Sequence, residues 1–85
     1  MQIQLRFFAS VREALHTSHE TLDLPDDVRN VGEVRRHLQQ RGGAWAEALG
    51  QGRALRMAVN HQMTDESAAV SAGCEVAFFP PVTGG

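Results

Sequence analysis

Lysine is missing from this chain, whose eight basic residues are all arginine, at positions 6, 12, 29, 35, 36, 41, 53 and 56. It therefore has no ε-ammonium for Schiff-base or amide chemistry. Cysteine occurs once, as Cys74, which excludes an internal disulfide and cannot by itself hold a structural zinc. A reducing compartment suits such a chain. No run of basic residues is present and the net charge is −2, so binding to nucleic acid or to an anionic membrane by counterion release is not expected. Long apolar runs are absent as well. No segment approaches the roughly eighteen residues of a membrane span, and Met1-Gln2-Ile3-Gln4-Leu5-Arg6 lacks the apolar stretch of a signal peptide. These absences predict a cytoplasmic protein.

What is present is enough for one small domain. A chain of 85 residues buries only roughly 60% of the surface its unfolded form exposes, which leaves no room for a deep private active site. Apolar content of 42% with charged content of 21% is that of a globular protein and too hydrophobic for a disordered one. The histidines, His16, His19, His37 and His61, include only one close pair, and no carboxylate or cysteine completes a ligand set, so no metal is expected. Ser67 and Ser71 lack a partner for nucleophilic catalysis, and Cys74, next to Glu75, has no adjacent base motif to make it a thiolate.

Apolar and polar residues alternate in Ile3-Gln4-Leu5-Arg6-Phe7, the period of a half-buried strand, and Phe8 then falls on the opposite face. Ser10-Val11-Arg12-Glu13 reads as a capping box opening a short helix to about Leu15. Thr21-Leu22-Asp23-Leu24 alternates again and stops at Pro25-Asp26-Asp27, making a hairpin-like partner for the first strand. Asn30-Val31-Gly32-Glu33 repeats the cap logic, and Val31, Val34 and Leu38 follow at helical spacing until Gly42-Gly43. Trp45, Ala48 and Leu49 suggest one further helical turn. Leu55, Met57 and Val59 alternate with Arg56 and Ala58 as a third strand; Asn60-His61 turns into a short fourth, Gln62-Met63-Thr64, and Glu75 to Phe79 is the last.

This order predicts an α+β fold in which a mixed sheet wraps one main helix, the β-grasp or ubiquitin-like order; periodicity alone also fits a ferredoxin-like arrangement. The domain is expected to span residues 1–80, with 81–85 as an extended C-terminal tail. In Pro80-Pro81-Val82-Thr83-Gly84-Gly85 two prolines fix φ and remove the N–H donors a continuing strand needs. Gly84 and Gly85 carry no side chain, so the end of the chain can enter a slot too narrow for other residues. Neighbouring first and last strands in a β-grasp sheet put Phe8 and Phe79 side by side on its open face, near Met63, as a partner-docking patch.

Two segments, Phe7-Phe8-Ala9-Ser10-Val11-Arg12-Glu13 and Gly73-Cys74-Glu75-Val76-Ala77-Phe78-Phe79-Pro80-Pro81-Val82-Thr83-Gly84-Gly85, resemble the small-subunit family of molybdopterin synthase, with Ala58-Val59-Asn60 as a weaker internal match. The resemblance covers essentially the whole chain. It implies a sulfur carrier that is not catalytic alone and holds no permanent cofactor. An adenylyltransferase similar to ubiquitin-activating enzymes would consume ATP to adenylate Gly85, and a sulfur donor would displace AMP to leave a thiocarboxylate. Thr83 and Gly84 would then insert with Gly85 into the large subunit of a heterotetramer, where the thiocarboxylate attacks a cyclic pterin phosphate. The same resemblance gives Arg12 a contact with the large subunit. A carrier for thiazole or another sulfur-containing metabolite, and a ubiquitin-like modifier of other proteins, remain alternatives.

Overall fold

The computed structural model describes residues 1–81. Its elements run β1 (Gln2–Phe7), α1 (Ala9–Leu15), β2 (His19–Asp23), α2 (Val31–Gln39), α3 (Gly43–Ala48), β3 (Arg56–Val59), β4 (Gln62–Thr64) and β5 (Glu75–Phe79). Among the described residues the strands form one sheet in the order β2-β1-β5-β3-β4. β1 and β5 lie at its centre and run parallel, with Leu5 opposite Val76 and Phe7 opposite Phe78, while the other pairs are antiparallel. A mixed sheet crossed on one side by α2 is the β-grasp, and the ferredoxin-like alternative falls.

The core lies between the sheet and the helices. Ile3, Leu5 and Phe7 point inward from β1, Val76 and Phe78 from β5, and Val31, Val34 and Leu38 from α2, all essentially without solvent contact. Phe7 stacks on Phe78 with centroids 6.4 Å apart, and the Trp45 ring of α3 meets Phe7 edge-on at 5.6 Å. Leu49, just after α3, is fully buried beneath them, as the apolar spacing of that turn implied.

The two helix starts differ from one another. At α2 the Asn30 side chain accepts a hydrogen bond from the Glu33 backbone N–H at 2.8 Å. The Glu33 carboxylate reaches back to the N–H of Arg29, one residue before the usual partner. At α1 the expected capping box does not form. The chain passes from β1 through an extended Phe8, the cap residue, into Ala9 at φ 52°, so Ser10 already lies inside the helix. With its backbone helical, the hydroxyl is in the wrong place to serve the first turn.

Two strands also depart from expectation. β2 begins at His19, two residues earlier than Thr21, because its pairing with β1 runs to Arg6 opposite His19; α1 intervenes between the two strands, so they are antiparallel neighbours without a tight hairpin. In β3 Ala58 is buried alongside Met57 although it faces outward, since its short side chain lies between Ala77 of β5 and Met63 of β4. The Asn60-His61 turn is as read, both residues taking the positive φ of a tight hairpin, 49° and 68°.

Among the described residues Arg35 is the one charged side chain in the core, 5% exposed. Its guanidinium donates to the carbonyls of Leu49, Gly50 and Arg53 and to the Glu66 carboxylate, the last at 3.1 Å. It thereby holds the segment between α3 and β3 against α2. No helix among the described residues is long and apolar enough to cross a membrane.

Candidate functional site

Opposite the helices, the open face of the sheet carries a groove of about 520 Å³ lined by Phe8, Ala58, Met63, Ala77, Phe79 and the first tail residues Pro80 and Pro81, with Ala9, His61 and Glu75 completing it. The alternation that sends Phe7 and Phe78 into the core sends Phe8 and Phe79 outward. The Phe8 N–H donates to the Phe78 carbonyl at 3.3 Å, which extends the parallel ladder past the end of β1 and fixes Phe8 beside β5. The two outward rings meet edge to face with centroids 6.3 Å apart. Phe8 is 41% exposed and Met63 is 62% exposed, a large apolar area for so small a protein.

The floor of the groove is made of alanine for a steric reason. Ala58 and Ala77 pair across β3 and β5, and Met63 pairs with Ala58 from β4. Larger residues at the two alanine positions would fill the depression that Phe8, Phe79 and Met63 surround. At one end of the groove the Glu75 carboxylate lies 3.4 Å from His61 Nε2. At the other, Pro80 and Pro81 have left the sheet, as two consecutive residues without a strand N–H must.

The sequence-predicted docking residues Phe8, Met63 and Phe79 are thus gathered into one surface. Arg12 is exposed on α1 one turn after Phe8 and does not line the groove. Thr83, Gly84 and Gly85, the predicted tail and reacting terminus, lie outside the described residues. Ala58, Ala77, His61 and Glu75 were not singled out as site residues; their outward register in β3 and β5, or their place in the hairpin turn, is the signal that locates them. Cys74 is buried in the core at 4% exposure, where its thiol packs as a small apolar group. Among the described residues no three histidine, cysteine or acidic side chains are grouped to hold a metal ion.

The rest of the surface is organised by a different set of polar contacts. Arg41 grips Glu20 through both guanidinium nitrogens and stacks over Trp45 at 4.4 Å. That double hydrogen bond holds the Glu20 carboxyl below the ordinary glutamate range. Asp65 is lowered likewise by the hydroxyl and N–H of Ser67. Neither acid lies on the groove.

The family model described as the ThiS family matches residues 5–85. The molybdopterin synthase sulfur carrier subunit of Haemophilus influenzae is 42% identical over 83 residues, covering 98% of this chain and 99% of that protein. The protein of the same name from Escherichia coli is 40% identical over the same span and coverage. A solved complex of subunits 1 and 2 of the molybdopterin-converting factor from Helicobacter pylori contains a chain that superposes with TM-score 0.69 at 23% identity, each chain covered in full, a likeness of fold.

Proposed function

The chain belongs to the ThiS family, and from that membership we propose that it is the sulfur carrier subunit of molybdopterin synthase in molybdenum-cofactor biosynthesis. The observation that carries this reading is similarity at about 40% identity, from end to end, to two proteins bearing that name. The name also favours this role over a carrier serving thiazole synthesis. The protein is not a catalyst alone. It supplies sulfur, and a larger partner subunit supplies the catalytic residues; the Helicobacter pylori complex of subunits 1 and 2 supports such a partner.

The reacting group is the Gly85 carboxylate. A free carboxylate is a poor electrophile, so ATP held by an adenylyltransferase converts it to an acyl adenylate with release of pyrophosphate. A sulfur donor attacks the carbonyl and AMP leaves, giving a thiocarboxylate at Gly85. Thr83 and Gly84, the latter with no side chain beside the equally bare Gly85, carry that sulfur into the large subunit of a heterotetramer, where it attacks the cyclic pterin phosphate. The groove of Phe8, Met63 and Phe79, with Arg12 nearby on α1, docks the body of the domain, so the end of the chain is held near its target. No cofactor is retained by this subunit.

The test is intact-mass spectrometry after incubation with ATP, the cognate adenylyltransferase and a sulfur source. The expected result is replacement of one oxygen by sulfur, localised to Gly85, and only when the adenylyltransferase is present. A persulfide mapped to Cys74 instead would overturn the carrier mechanism, as would sulfur gained without the activating enzyme.

A further inference from the structure

Two arginines on the open face stand apart from the ion pairs that engage other charges. Arg6 of β1 lies opposite Ala77, and Arg56 of β3 lies opposite Phe79, so one guanidinium-bearing strand flanks β5 on each side. Both residues are exposed, and the alternation of their strands points them to the groove side. Among the described residues only Arg35, with Glu66, and Arg41, with Glu20, are arginines in ion pairs; of the others, Arg6 and Arg56 are the two that stand on strands of the open face. Of the strand carboxylates on the same face, Asp23 lies 3.7 Å from the Met1 ammonium, and Glu75, 3.4 Å from His61 Nε2, stands at the opposite end of β5 from Phe79. Arg6 also sits over the Phe8 ring, its guanidinium carbon 5.9 Å from the centroid. A chain of net charge −2 thus presents local positive charge on both sides of its exposed aromatic pair.

We infer that Arg6 and Arg56 select the partner's surface. The site takes a protein face on which an apolar side chain enters the depression over Ala58 and Ala77, bounded by Phe8, Phe79 and Met63, while two carboxylates stand either side, about 12 Å apart from strand spacing and register. Guanidinium suits this role because its planar fork donates two parallel hydrogen bonds to a carboxylate and still packs on an aromatic ring. The aromatics give the contact its area, and the arginines give it orientation and a charge filter against basic surfaces. This rests on the docking reading above and adds the chemistry of what docks.

The experiment is titration calorimetry of the full chain against the molybdopterin synthase large subunit of the same organism, at low and at high sodium chloride. Arg6→Glu combined with Arg56→Glu is expected to weaken binding by about tenfold or more at low salt. Arg36→Glu, a reversal on the exposed side of α2, is expected to leave it unchanged. Arg6→Gln with Arg56→Gln is expected to flatten the salt dependence shown by the native protein, a readout that survives if the reversed variant folds poorly. Native-like binding by the reversed and neutralised pairs at both salts, with Phe79→Ala still weakened, would overturn the arginine inference and leave the docking reading standing. Equal weakening by Arg36→Glu would also overturn it, by showing an effect of net charge alone. If the native chain does not bind the large subunit, both readings fall together.

Discussion

Phe8, exposed, and Phe79, half-buried, meet edge to face on the open side of the sheet, 71 residues apart in sequence, while their chain neighbours Phe7 and Phe78 stack against one another inside the core. The sheet's two-residue period thus splits two consecutive phenylalanine pairs into one buried in the core and one on the open face, the pair that the proposed function uses for docking. Phe78→Ala should destabilise the domain by about 3–5 kcal/mol, enough to unfold much of a protein this size. Phe79→Ala and Phe8→Ala should melt near the native temperature yet weaken association with the large subunit or the adenylyltransferase. Thermal melts beside binding isotherms check this, and the reverse pattern would show the faces assigned backwards.

The chemistry proposed for Gly85 depends on its being the last residue. Deleting Gly85 should abolish thiocarboxylate formation with little change in melting temperature, since the buried core runs from Ile3 to Phe78. Adding one residue after it should be equally inactivating, because the reactive carbonyl moves by up to ~3.6 Å. An error of about 1 Å can already cost on the order of 100-fold. Mass spectrometry of the native and extended proteins, processed side by side, decides the matter.

Arg35→Ala should cost about 3–5 kcal/mol, well beyond a surface arginine, because it strands the partly buried Glu66 carboxylate and removes donors from three carbonyls. Urea denaturation measures the loss. Arg35→Met, which keeps much of the packing volume, should still leave the Glu66 carboxylate and the Arg53 carbonyl without their donor and recover only part of it, while the Leu49 carbonyl keeps Gln39 Nε2 and the Gly50 carbonyl keeps the Arg53 N–H.

Gly32 is buried at the point where α2 meets the segment before β5, its N–H donating to the Glu66 carbonyl at 2.9 Å. A β-carbon there would stand 3.0 Å from the Glu66 Cβ and 3.2 Å from its carbonyl oxygen. Gly32→Ala should therefore destabilise by about 1–3 kcal/mol, despite the better helix propensity of alanine. Stabilisation in the same denaturation assay would show that the Glu66 segment yields easily.

The Glu20–Arg41 contact sets one acid limb of stability. A carboxyl whose folded-state pKa is depressed adds stability that is present above its unfolded value, about 4.5, and lost as pH falls through the folded one. Both side chains are about a third exposed, so the contribution is held to about 0.5 kcal/mol. Glu20→Gln should lower the melting temperature slightly at neutral pH, and the gap to the native protein should close as the solution is acidified below that range.

Much of this architecture is legible in the sequence because it rests on short-range periodicity. Alternation in Ile3 to Phe7 and in Glu75 to Phe79 locates the central strands, and with them the outward Phe8 and Phe79. The Asn30 cap is visible because its partner is three residues away. Arg35 was not legible as a core residue. Its partners are 14 to 31 residues distant and three of them are backbone carbonyls, which carry no side-chain signature. Ser10 misleads for a related reason: the capping pattern is present, but pairing of Phe8 with Phe78 holds the cap two residues earlier, at Phe8. Arg6 and Arg56 look like ordinary solvated charges until the register sets them on either side of β5.

The parallel pairing of β1 with β5 also governs when this molecule becomes usable. The two central strands are the first and last elements of the described chain, so the sheet closes only after a loop of about 70 residues has been brought together. A ribosome-bound or truncated chain that has not yet delivered β5 has Phe8 but no Phe79 beside it, no alanine floor and no completed groove. On the proposed function, assembly of this surface would act as a maturity check: an activating enzyme gripping it would handle only chains that have finished folding.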